Sequence, residues 1–206
     1  MIYLSSSHWI SNNKNIGLMM SFNVNSVTKN MVNRMGVKII GIDNGCYSRP
    51  EKYDDEKYLN YLTNLNLQHS LFATAPDVVG DYKKTRKRSK PMFKKIRNIG
   101  YKVAYVGQDG EDGNKLNFKL FDCLFIGGTT EWKLSQDAYK LVQLAKQNGK
   151  WIHMGRVNSY KRMRVAGAIG VDSVDGTYIC WKSKERSKQL HSWVNNINDQ
   201  YYLGFN

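Results

Sequence analysis

Asp43, Asp77, Gln108 and Asp175 each stand at the end of a short apolar run, in GIDNGCYS, ATAPDVVGD, YVGQDG and VDSVDGT. Carboxylates exchange protons, attack electrophilic carbon and accept hydrogen bonds, while an amide both donates and accepts. If those runs are parallel strands, their carboxyl ends deliver all four groups to one face. FIGGTTE adds Gly127 and Gly128 after another run, where bare backbone lets a planar ligand approach closely. IHMGR adds Met154, a residue that ordinarily fills core gaps but can also pack against a flat base. VDSVDGT itself holds two candidates, Asp172 and Asp175. One such aspartate alone would more simply cap a helix or turn. Their recurrence along the chain points to a site.

Side chains at strand ends need a frame that holds them. Short apolar segments alternate with amphipathic ones along nearly the whole chain, the pattern of βα units around a parallel sheet. Eight strands are expected, over residues 1–4, 17–22, 37–42, 70–74, 102–106, 122–126, 151–154 and 170–174. Two helices are plain from their period. One follows the N-cap Ser135, buries Ala138, Leu141, Val142 and Ala145 and stops at Gly149. The other, over 54–66, buries Tyr58, Tyr61, Leu62 and Leu65. Further helices are expected over 26–35, 81–98, 159–168 and 184–197. Such a chain predicts an α/β fold, a compact (β/α)8 TIM barrel in one domain, with its active site at the carboxyl ends of the strands. An open doubly wound sheet is the alternative, but no G-x-G-x-x-G follows the first strand. GQDGEDGN, 107–114, reads as a flexible loop.

The 206 residues carry 31 Lys and Arg against 17 Asp and Glu, a net charge of +14. A surplus this large favours polyanionic partners, nucleic acid first. The basic residues are densest over 83–97, with Lys83, Lys84, Arg86, Lys87 and Arg88 at its start. A second group, Arg156, Lys161, Arg162 and Arg164, falls between Met154 and Asp175, beside the proposed site. Both groups are candidate phosphate contacts. His8, His69, His153 and His191 show no ligand spacing, and strand alternation turns His153 away from Met154, so no metal is assigned. Cys46, Cys123 and Cys180 are odd in number and scattered, which suits a reducing cytoplasm. Neither a signal peptide nor a membrane span is apparent, and no membrane partner is expected.

FDCLFIGGTTEW, HMGRVNS and GVDSVDGT, in this order, resemble the tRNA-guanine transglycosylase superfamily, most closely its DNA-modifying, DpdA-like branch found in phages and bacteria. The resemblance covers about residues 37–177. It implies a cofactor-independent exchange of guanine in DNA for a 7-deazaguanine, preQ0 or a derivative, through a covalent glycosyl-enzyme intermediate. By position, Asp175 matches the nucleophile and Asp43 the general acid/base. Asp77 resembles the aspartate that grips the guanine edge, Gln108 and Gly128 match positions that read the rest of the base, and Met154 resembles the residue stacked on it. A carboxylate facing the N1–H and N2–H edge of guanine accepts two hydrogen bonds that adenine does not offer there. The target nucleotide must leave its stack to reach such a pocket, in keeping with a basic surface. The tRNA enzymes carry a C-terminal zinc site of clustered Cys and His, whereas only Cys180 and His191 follow Asp175 here. That departure favours the DNA-modifying branch. Base exchange in tRNA, and a non-catalytic nucleic-acid-binding subunit, are the alternative expectations.

Overall fold

The computed structural model describes residues 1–6, 12–23, 29–179 and 184–203. His8, Cys180 and the expected helical residues 26–28 lie outside them. Eight parallel strands close a barrel in sequence order: β1 (Ile2–Ser5), β2 (Ile16–Ser21), β3 (Ile40–Asp43), β4 (Phe72–Thr74), β5 (Val103–Gly107), β6 (Cys123–Ile126), β7 (Trp151–Met154) and β8 (Ser173–Gly176). The ring is sealed where β8 pairs with β1, with Leu4 opposite Asp175. This is the (β/α)8 barrel expected from the alternation of segments. The last strand begins three residues later than its apolar run suggests, which draws Asp175 into the ladder and leaves Asp172 before it.

Helices α1 (Lys29–Met35), α2 (Asp55–Leu65), α3 (Tyr82–Ile99), α4 (Thr130–Lys133), α5 (Gln136–Gln147), α6 (Tyr160–Ala168) and α7 (Lys184–Leu203) surround the strands. Their starts are written locally. Asp54, Asp81, Thr129, Ser135 and Ser159 each accept a backbone N–H of the first turn, the bond that satisfies an otherwise orphaned donor. No described helix is long and apolar enough to cross a membrane.

Strand alternation sorts the core into two layers. Leu18, Met20, Ile40, Ile42, Leu124, Ile126, Ile152, Met154 and Val174 point outward and pack with helix residues such as Leu62, Leu141 and Met163. Leu4, Met19, Phe72, Ala104, Val106, Cys123 and Phe125 point inward and fill the barrel. His153 joins this inner layer, its ring centroid 4.9 Å from Phe72 and 4.5 Å from Phe125. The two-residue period places Asp43, Ser173 and Asp175 on the inward side as well.

The 107–114 segment is not the loose loop its composition suggests. Glu111 is fully buried: its Oε2 accepts Arg86 Nε at 2.8 Å and Tyr105 Oη at 2.7 Å, and its Oε1 accepts Gly113 N–H at 2.9 Å and Arg86 Nη2. A buried carboxylate needs such partners, and they pin the loop to α3 and β5.

Candidate active site

A pocket of about 460 Å³ opens at the carboxyl ends of the strands, within the size range of small-ligand sites. Met19, Val106 and Phe125 of the inner layer form its apolar part, and Asp43, Asp77, Gln108, Gly127, Gly128 and Asp175 lie on its wall. The strand-end residues singled out from the sequence therefore meet, with two exceptions, Met154 and Asp172. Met154 is absent from the wall: it faces outward and is buried in the sheet–helix layer. Adjacent strand residues take opposite faces, and the inward one on β7 is His153. Met154 accordingly leaves the set of residues expected to contact the base.

Asp43 ends β3. Its Oδ2 accepts Ser21 Oγ at 2.9 Å from the neighbouring strand and Gly45 N–H at 3.0 Å. Burial raises its pKa to about 7, with the Asp77 and Asp175 charges adding to the rise and the Ser21 and Gly45 bonds opposing it. Among three carboxylates in one pocket, Asp43 is thus poised to hold or release a proton near neutrality.

Asp77 is gripped on both oxygens. Asn44 Nδ2 donates to Oδ1 at 3.1 Å and Gln108 Nε2 to Oδ2 at 2.6 Å. Burial raises its pKa too, and these two bonds work against that rise. Asn44 is itself fixed by Thr74 Oγ1, the Ala75 carbonyl and Cys46 N–H. The Cys46 thiol is pushed up to about 12 by burial and then by Asp77, which makes it a packing group.

Gly127 and Gly128 do line the pocket, but their N–H groups are already used, by the Gly107 carbonyl and by Gln108 Oε1. Their contribution is bare backbone. Gly128 has a φ of +59°, and a Cβ there would meet Asp109 Oδ2 at 2.8 Å, so a side chain is excluded both by conformation and by space.

Asp175 Oδ2 lies 3.0 Å from His153 Nε2, and Oδ1 accepts Arg156 N–H at 3.1 Å. Arg156 adopts a φ of +61°, a conformation that costs a non-glycine residue of order 1–3 kcal/mol and clusters at functional sites. Its guanidinium donates to the Gly128 carbonyl and covers the Tyr47 ring at 4.2 Å. One arginine thereby joins the loops after β3, β6 and β7. Asp172, the other aspartate of VDSVDGT, sits before β8, at the opposite end of the barrel. It accepts Ile152 N–H and pairs with Lys146, a scaffold role.

The basic groups separate by partner. Arg86 is spent on Glu111, and Arg88 donates to the Asp77 carbonyl at 3.0 Å and stacks over Tyr53 at 4.7 Å. Both turn inward and leave the expected phosphate-contacting set. Lys83, Lys84 and Lys87 are exposed in the first turns of α3, Lys84 pairing loosely with Asp81 at 3.1 Å. Lys161 is exposed on α6 in a shallow hollow with Tyr160 and Arg164, apart from the main pocket, and Arg162 is half-buried.

Three residues of the site escaped the sequence reading. His153 is one. Tyr47 is another, an aromatic ring 56% exposed on the pocket wall. The third is Lys133, buried in α4, whose Nζ donates to the Gly155 carbonyl at 2.6 Å. Burial lowers its pKa to about 8, Arg156 pushing the same way and Asp175 opposing. The position of Tyr47, four residues after Asp43, was the available signal for it.

No protein-family model matches the chain, and no curated protein matches it.

Proposed function

We propose that the chain is a DNA-guanine transglycosylase, a pentosyltransferase that exchanges guanine in DNA for a 7-deazaguanine such as preQ0 or a close derivative. The observation that carries this reading is one pocket whose wall holds both Asp175, with Oδ1 accepting Arg156 N–H and Oδ2 lying 3.0 Å from His153 Nε2, and Asp43, whose pKa is raised to about 7. A nucleophilic carboxylate beside a carboxyl that titrates near neutrality is what a double displacement at a sugar carbon requires. The motif resemblance supplies the substrate class.

In the first half-reaction an Asp175 oxygen bonds to C1′ as the C1′–N9 bond breaks. The bond's electron pair leaves with guanine, which takes a proton from Asp43. In the second, the Asp43 carboxylate takes the N9 proton of the incoming base, whose N9 attacks C1′ and returns the electron pair of the ester bond to Asp175. Each Asp77 oxygen keeps one acceptor site after its bonds to Asn44 and Gln108, enough for the N1–H and N2–H edge. Tyr47 supplies the flat surface that Met154 does not. Lys83, Lys84 and Lys87 attract the phosphates around a flipped nucleotide.

The test is incubation of the purified chain with preQ0 and either single-stranded DNA, duplex DNA or tRNA, followed by nucleoside mass spectrometry. A 7-deazaguanine deoxynucleoside is the expected product. Product on tRNA alone would move the substrate to RNA. No product on any of the three, with any deazaguanine, would leave a nucleic-acid-binding protein and end the enzymatic reading.

A further inference from the structure

Four side chains on β7 and β8 form a line of hydrogen bonds that ends at Asp175. Trp151 Nε1 lies 2.8 Å from Ser173 Oγ, Ser173 Oγ lies 2.8 Å from His153 Nδ1, and His153 Nε2 lies 3.0 Å from Asp175 Oδ2. The direction of each bond follows from the groups themselves. An indole N–H only donates, so Ser173 accepts from Trp151 and has its one hydrogen to give. Giving it to Nδ1 leaves the proton of a neutral ring on Nε2, which then donates to the carboxylate. The other neutral tautomer would set a bare Nε2 lone pair against Asp175 at 3.0 Å with no hydrogen between two acceptors. Phe72 and Phe125 pack against the ring and oppose its turning.

We propose that Trp151 and Ser173 hold His153 as an Nε2–H donor, and that His153 so held is a positioning residue for the Asp175 nucleophile. The second half of this proposal rests on the transglycosylase reading. With Arg156 N–H on Oδ1 and His153 on Oδ2, the carboxylate is gripped from two sides and its plane is fixed before substrate arrives. The donor has a second use. When the glycosyl ester breaks, the electron pair of the C1′–O bond returns to Asp175, and a preset N–H beside that oxygen stabilises the charge as it forms.

The tautomer is read without turnover, by ¹⁵N NMR of protein labelled at histidine, the His153 signals being assigned by their loss in His153→Gln. An Nε2–H ring in the wild type is expected, and a mixture of tautomers in Ser173→Ala. An Nδ1–H ring in the wild type would overturn the proposal whatever the activity. In the exchange assay, His153→Phe should lower kcat roughly ten- to a hundredfold, the range for losing a hydrogen bond to a charged group. Its KM for the free base should not change. His153→Gln, which keeps an amide N–H at the end of the side chain, should recover most of the loss. A Phe variant as fast as wild type, or a Gln variant as slow as Phe, would show that His153 only packs. Wild-type protein without turnover on any nucleic acid would instead overturn the transglycosylase reading and with it the positioning role, leaving the tautomer result to decide the relay.

Discussion

Gln108 points its Nε2–H group at Asp77 Oδ2 across 2.6 Å, and its amide is oriented by the other end, because Oε1 accepts the N–H groups of both Gly80 and Gly128 at 3.0 Å. A flipped amide would set two oxygens against each other and an NH2 group against two N–H groups. The edge proposed to read the base is therefore built before any base binds, with Asp77 on the pocket wall in a fixed orientation.

Asp77→Ala should weaken binding of free guanine by roughly ten- to a hundredfold, the cost of hydrogen bonds to a charged group. Adduct formation at saturating DNA should suffer less. Calorimetric titration with guanine measures the first and a single-turnover gel the second. Guanine affinity unchanged in Asp77→Ala would remove this residue from base recognition.

Asp175→Asn should reduce the covalent DNA adduct, trapped by denaturation during turnover, to background while leaving DNA affinity intact. The amide is nearly the shape of the carboxylate but a poor nucleophile. An adduct that survives this substitution would assign the nucleophile elsewhere.

Asp43 should give the two half-reactions opposite pH dependence through one group. Adduct formation needs its proton and should fall as pH rises through about 7, whereas adduct breakdown by the incoming base needs its carboxylate and should fall as pH drops below about 7. Stability carries the same signature. A carboxyl whose folded pKa lies above its unfolded value supports folding fully below about pH 4 and loses that support as pH rises through the folded value. Asp43→Asn should therefore melt above the wild type at pH 8, by roughly 2–4 °C for each kcal/mol relieved, with the difference shrinking toward acid. Melting curves that stay parallel across pH would contradict the buried, shared-charge setting of Asp43.

Much of this site was legible in the sequence because strand ends announce themselves. Asp43, Asp77, Gln108 and Asp175 each follow a short apolar run, and a closed parallel barrel gathers all such ends onto one face. The phase of β7 was not legible. In a barrel strand buried on both sides, Ile152, His153 and Met154 all occupy core positions, so alternation says that neighbours face apart without saying which faces in. Lys133 was hidden for another reason. It rides on a four-residue helix with little periodicity, and an unpaired lysine is by default an exposed one. Glu111 was misjudged through its neighbours, since GQDGEDGN has the composition of a free loop. Only the arrival of Arg86, 25 positions earlier in the chain, makes Glu111 an anchor.

Arg86 and Lys87 are adjacent cationic residues on α3, yet their substitutions should separate cleanly. Lys87 is exposed, as are Lys83 and Lys84. Changing all three to Gln should leave stability within about 0.5 kcal/mol per site. The same change should weaken DNA binding and flatten the dependence of log K on log salt by about 0.9 for each duplex phosphate that is no longer neutralised. Arg86→Gln should do the reverse, since it strips the cation from the fully buried Glu111. Breaking such a pair costs about 3–5 kcal/mol, or roughly 6–20 °C in Tm for a chain of this size. Melting curves and a salt titration of DNA affinity on the two variants check both halves. An Arg86→Gln protein that melts like wild type but shows a salt slope shallower by about one would return Arg86 to the nucleic-acid surface.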